Sequence, residues 1–146
     1  MIPLARPQVG KAEIRAVVRV LKSGRMAQGP IVAEFEKNFS KYVEERPCVA
    51  VNSGTSALHL ALLSLGLGAG DEVIVPSFTF AATANSVALT GATPVFVDID
   101  ASTYNIDPTL IESAITSHTK AIQVVHLYGL MANMMKIMER RCCRFS

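Results

Sequence analysis

From residue 48 onward, short apolar runs alternate with helical stretches, and this alternation leaves few folds open to the chain. Val49–Val51 is strand-like and Ala57–Leu67 is helical. Glu72–Val75 reads as a strand ended by Pro76. Thr79–Leu89 reads as a helix stopped at Gly91, and Pro94–Val97 as a strand. Asp107 before Pro108 marks a helix start: a capping side chain is followed by a proline whose missing N–H is no loss in the first turn. That helix runs to about Ser117. Ala121–Val125 is a further strand and Met131–Glu139 a further helix. The order β-α-β-α-β-α-β-α predicts an α/β fold with a mostly parallel sheet and helices on both faces. The strands are apolar almost throughout, as covering on both sides requires. There is no internal repeat and no low-complexity segment.

The preceding residues have a different period. Ile14, Val17, Val18 and Leu21 recur at helical spacing within 10–23, and Gly24 is a natural stop. Gly24–Pro30 reads as a loop. A second amphipathic helix spans 31–44, with Val32, Phe35, Phe39 and Val43 on one face. The chain thus divides into an N-terminal helical segment (1–47), an α/β segment (48–138) and a tail (139–146).

Composition excludes several classes. Fourteen basic and 12 acidic residues give a net charge of +2, with no basic stripe carrying interleaved aromatics, so nucleic acid is a poor partner. The start, Met-Ile-Pro-Leu-Ala-Arg, lacks the layout of a signal peptide. The apolar stretch Ala57–Ala69 is interrupted by His59 and Ser64 and falls short of the roughly 20 residues a membrane span needs. A cytoplasmic location is expected. Half the residues are hydrophobic and mean hydropathy is +0.33. That fits either a well-packed Ala- and Val-rich domain or part of a larger protein. The three cysteines, Cys48, Cys142 and Cys143, argue against a disulfide framework. Cys48, in the run Cys-Val-Ala-Val, is expected to be a buried core thiol. The Cys142–Cys143 pair lacks zinc-ligand spacing, and His59, His118 and His126 do not pair with one another, so no metal site is expected.

Parallel sheets bind ligands beyond the carboxyl ends of their strands, so the strand-to-helix turns hold the candidate chemistry. Asn52-Ser53-Gly54-Thr55-Ser56 leaves a strand and opens a helix. Free N–H groups and the positive dipole end suit a phosphate there, Gly54 permits close approach, and Thr55 and Ser56 add hydroxyls. Plain capping by Ser53 or Thr55 accounts for the same residues. The run is not a P-loop, since no Gly-Lys-Ser/Thr follows. In Pro76-Ser77-Phe78-Thr79-Phe80, one of the aromatics could form a flat wall for a planar ligand, or both could be core. Asp98-Ile99-Asp100 could bind a metal or simply turn the chain. His126, in His126-Leu127-Tyr128-Gly129, is a candidate acid, base or donor at the mouth of the site, or a structural histidine.

Taken together, these turns resemble those of the DegT/DnrJ/StrS aminotransferases. The resemblance is carried by Asn52-Ser53-Gly54-Thr55-Ser56-Ala57-Leu58, Asp71–Phe80, Gly91–Asp98 and His126-Leu127-Tyr128-Gly129, in order and at the right separations, over about Ile2 to Met138. Gly24 and Gly29-Pro30 ahead of Phe35-Glu36 fit the family's opening segment. The resemblance implies the N-terminal part of the large domain of the aspartate-aminotransferase-like (fold type I) fold, and pyridoxal 5′-phosphate as cofactor. It implies transfer of an amino group from an amino-acid donor to a nucleotide-linked keto-sugar, for cell-surface polysaccharide or amino-sugar biosynthesis, by a homodimer. It implies that Gly54, Thr55 and Ser56 hold the cofactor phosphate and that Phe80 stacks on the pyridine ring.

The family's next strand carries an aspartate that keeps the pyridine nitrogen protonated. A later lysine forms the Schiff base. Neither motif occurs in these 146 residues, and Lys120 and Lys136 lie in no matching motif. The chain alone is therefore expected to be inactive. The change to Arg140-Arg141-Cys142-Cys143-Arg144 is what a shifted reading frame would give, or else a natural short tail. The alternatives to an enzyme fragment are a non-catalytic phosphate-binding remnant and a small α/β domain without activity.

Overall fold

The computed structural model describes residues 6–141. Cys142, Cys143 and Arg144, and the start of the resemblance at Ile2, lie outside the described residues. The polypeptide divides into two compact units, the first ending at Ala50 and the second beginning at Val51.

In the first unit, α1 (Lys11–Ser23) starts after an extended Gly10, whose N–H donates to the Glu13 carboxylate at 2.7 Å. One of the amides left over at a helix start is thereby satisfied. Gly24 ends the helix in the left-handed region (φ 69°), and its N–H donates to the Leu21 carbonyl. Pro30 occupies the first position of α2 (Pro30–Ser40). The expected helix over 31–44 stops four residues early. Glu45 N–H closes back on the Ser40 carbonyl at 2.9 Å, and Glu44 and Glu45 adopt left-handed backbones. The periodic apolar faces exist, but neither helix buries a residue. The Phe35 and Phe39 rings pack against each other, centroids 5.8 Å apart, and both stay about half exposed. Ala50 N–H donates to Glu36 at 2.8 Å, tying the end of the unit back to α2. Cys48 is half-buried, not a core thiol, because its segment pairs with no strand, and its Sγ contacts the Arg46 carbonyl at 3.4 Å. Val49–Val51 likewise forms no ladder among the described residues, and Val49 is 79% exposed.

The second unit is a three-layer α/β arrangement. Helix α3 (Gly54–Ser64) is followed by β1 (Glu72–Pro76), α4 (Ala82–Ala88), β2 (Thr93–Val97), α5 (Pro108–Ala114), β3 (Thr119–Ile122) and α6 (Met134–Arg141). The sheet is parallel with order β2-β1-β3. Side chains of β1 alternate between faces. Val73 and Val75 pack with Leu62, Leu67, Val87 and Ala92 on one side. Ile74 packs with Val97, Ile106, Ile111, Ala132 and Ile137 on the other. All three β1 residues are fully buried, and each such side chain contributes about 1.5–3 kcal/mol by area.

Several elements sit differently from expectation. The strand expected at Ala121–Val125 begins two residues earlier, because β3 takes its register from the start of β1 (Glu72↔Thr119) and Glu72 also accepts hydrogen bonds from Thr116 and Thr119. Helix α4 begins at Ala82, since 77–81 are spent on the turn after Pro76. Helix α5 has the expected Asp107 cap, which accepts from Thr109 N at 2.8 Å, but ends at Ala114. Helix α6 begins at Met134, where the Asn133 side chain accepts Lys136 N–H. Among the described residues, no helix is long and apolar enough to cross a membrane.

Candidate functional site

The Asn52–Ser56 turn is an extended segment running into a capped helix. Ser53 is extended (φ −159°, ψ 158°), and its Oγ accepts Ser56 N–H at 3.1 Å. Ser56 Oγ lies 2.9 Å from Ser53 Oγ and donates to Asn52 Oδ1 at 2.7 Å. Ser53 is therefore the cap, as one reading of the sequence allowed, and Ser56 is partly engaged. Gly54 and Thr55 are the first two helical residues, so their N–H groups have no preceding turn to donate to. A Cβ added at Gly54 would meet nothing within 4 Å, so the space beside it is open to a ligand. Unlike Ser56, Thr55 uses its hydroxyl in no hydrogen bond among the described residues.

The second turn separates its two aromatics. The Phe78 ring packs against Tyr104, centroids 5.8 Å apart at 51°. Phe80 is 79% exposed and has no aromatic partner among the described residues. Phe80 lies just before α4, and its carbonyl accepts Thr83 N–H. Both turns lie on one edge of the unit. Helix α4 begins where β1 ends. Helix α3 runs back toward the amino end of β1, and its 11 residues span about 16 Å, roughly the length of the five-residue strand. Its first turn thus reaches the carboxyl edge. Helices α3 and α4 pack on the same face as Val73 and Val75.

The remaining candidates are engaged in hydrogen bonds of the fold. Asp98 accepts Ile99 N–H and the Ser77 hydroxyl at 2.8 and 2.9 Å, which joins the ends of β1 and β2. The Ile99 amide, then the Ser77 hydroxyl, hold its carboxyl below the ordinary range. Asp100 accepts from Ser102 and Thr103 as a turn residue, and the Ser102 hydroxyl, its largest influence, lowers it likewise. Among the described residues no cluster of His, Cys, Asp and Glu could hold a metal ion. His126 Nδ1 accepts Ala132 N–H at 3.1 Å, a contact that fixes the loop after β3.

The buried Asn105, which the sequence reading did not single out, completes this hold. Its Oδ1 accepts Leu127 N–H and its Nδ2 donates to the Leu130 carbonyl. No local pattern in Tyr-Asn-Ile-Asp reveals that role, because both partners lie more than 20 residues away. Ser77 was missed in the same way.

A sequence profile of the DegT/DnrJ/EryC1/StrS aminotransferase family matches residues 7–141. The spore coat polysaccharide biosynthesis protein SpsC of Bacillus subtilis is 50% identical over 133 residues, covering 91% of this chain and 34% of that protein. The UDP-2-acetamido-2-deoxy-3-oxo-D-glucuronate aminotransferase of Pseudomonas aeruginosa is 50% identical over 117 residues, covering 80% and 33%. The structure of Spr1654 from Streptococcus pneumoniae in its PLP form superposes with a TM-score of 0.89 at 42% identity, covering 95% of this chain and 36% of that one. The fold is thus the fold type I aminotransferase fold, and this chain spans about a third of the length of these relatives.

Proposed function

The chain belongs to the DegT/DnrJ/EryC1/StrS aminotransferase family, and we propose that its second unit forms the phosphate-holding and ring-stacking part of a pyridoxal 5′-phosphate site. The observation that carries this is the coincidence at one sheet edge of Thr55's free hydroxyl, two helix-start amides and the exposed Phe80 ring. Gly54 and Thr55 amides and the Thr55 hydroxyl receive the phosphate, where the helix dipole favours negative charge, and the Ser56 hydroxyl joins them by exchanging its bond to Asn52 for one to the phosphate. Phe80 covers one face of the pyridine ring. Bound there, the cofactor supplies an electron sink for moving an amino group.

The activity we propose is transfer of an amino group from an amino-acid donor to a nucleotide-linked keto-sugar for polysaccharide or amino-sugar biosynthesis, in the cytoplasm, by a homodimeric enzyme of the relatives' length. Residues 1–47, 48–138 and 139–146 are its helical segment, partial cofactor domain and tail. By itself the chain is expected to hold the cofactor without a covalent bond and to transfer no amino group. Lys120 stands near the amino end of β3, away from the carboxyl edge. Lys136 is on α6, which packs on the other face.

Pyridoxal phosphate added at stoichiometry, reduced with borohydride and followed by peptide mapping tests this. Only diffuse labelling is expected; one specifically and fully labelled lysine peptide would contradict the proposal.

A further inference from the structure

A polar seam runs beneath the two site-bearing turns. Ala121 packs with the Val73–Val75 side of the sheet and Ile122 with the other, so Gln123 faces the α3–α4 layer. Its Nε2 donates to Ser86 Oγ (3.4 Å), Ser86 Oγ donates to the Thr83 carbonyl (2.9 Å), and Thr83 Oγ1 lies 3.1 Å from Thr79 Oγ1. The seam thus runs from β3 to the residue before Phe80. The Ser86 hydroxyl has spent its proton on Thr83 and can only accept, which fixes the Gln123 amide with Oε1 turned elsewhere. Oε1 is buried and has no partner among the described residues. The same is true of one other side-chain atom among the described residues, His59 Nε2. His59 sits on α3 three residues before Leu62, so it faces the same layer, and three residues after Ser56 of the phosphate turn.

Buried polar atoms are almost always partnered, often by an ordered water with two to four polar neighbours. We infer that His59 Nε2–H and Gln123 Oε1 bind one buried water between α3 and β3, and that this water joins the helix of the phosphate turn to the seam behind Phe80. Gln123 and His59 are then positioning residues that hold the two turns at a fixed separation. This last role, but not the water site, rests on the cofactor reading above.

A double-mutant cycle tests the site. Met is used at both positions because it fills the space without a strong polar atom. Gln123→Met and His59→Met are each expected to lower the urea midpoint by roughly 0.5–1 M. The double variant should fall no further than the worse single one, and His59→Gln, which returns a donor, should recover most of the loss. Additive losses, or a midpoint that rises in Gln123→Met as relief of an orphaned oxygen would cause, overturn the site. Backbone amide shifts in Gln123→Met alone keep the inference open to refutation if the His59 variants fail to fold. Both Thr79–Phe80 and Gly54–Ser56 should move, and changes confined to β3 and Ser86 overturn the positioning role. Failure of the wild-type chain to bind pyridoxamine 5′-phosphate would instead overturn the cofactor reading and leave the midpoint cycle intact.

Discussion

The two units use apolar residues in opposite ways. In the first, α1 and α2 have clear apolar faces, yet Ile14, Val17, Leu21 and Phe35 are each more than half exposed. In the second, Val73, Ile74 and Val75 are fully buried between two helical layers. Periodicity in a sequence therefore fixes which face of an element is apolar, but not whether that face is covered. Among the described residues only the second unit builds a core of buried side chains, and it is also the unit that carries the candidate site.

The largest expected effect sets the units directly against each other. Ile74→Ala should cost about 2–5 kcal/mol by the loss of buried contacts and the cavity left behind. Ile14→Ala, at an exposed position, should stay within about 0.5 kcal/mol. Urea unfolding of both variants checks this, and similar losses would break the contrast.

Next comes association. The exposed helical faces and the outer edges of β2 and β3, unpaired among the described residues, invite contacts between chains. Size-exclusion chromatography should show species larger than the monomer, reduced by Val17→Lys with Leu21→Lys. A monomer with a single reversible transition would contradict this.

Within the second unit, Phe78 and Phe80 offer a finer contrast. Phe80→Ala should weaken pyridoxamine 5′-phosphate binding by at least about 0.5–1.5 kcal/mol, the stacking contribution. Phe78→Ala should instead lower stability through the lost Tyr104 contact. Equal affinities in two folded variants would count against the assignment.

The smallest effect is electrostatic. The Asp98 and Asp100 carboxyls are held below the ordinary carboxylate range by hydrogen bonds. Their contribution to stability is complete above the unfolded-state value and is lost as pH falls through the lower folded-state value. Asp98 is exposed and Asp100 half-buried, so solvent screens both shifts. Asp98→Asn should slightly flatten the acid limb of the stability curve below about pH 4 and leave neutral pH unchanged.

The sequence made the α/β class, the strands read at 72–75 and 94–97 and the Asp107 cap legible, because each rests on local pattern, and the structure extends each strand by one residue. It also marked the turn at 52–56 as a helix start, and it set Phe80 apart from Phe78 only through resemblance. Element ends were less legible. The start of β3 depends on pairing with Glu72, and the end of α2 depends on a closure onto Ser40. Asn105, Ser77 and the Gln123–Ser86–Thr83 seam depend on residues brought together only by the fold, with no periodic or motif signal.

The central claim is that the first turn of α3 receives a phosphate through Thr55 as well as through backbone amides. Thr55→Val keeps the shape and removes a hydroxyl that holds no partner within the described chain. Calorimetric titration of pyridoxamine 5′-phosphate into wild type and Thr55→Val, alongside their unfolding midpoints, tests this directly. The expected result is an unchanged midpoint with affinity lower by about 1.5–3 kcal/mol, the range for a hydrogen bond to a charged group. Equal affinity with equal stability would contradict the account.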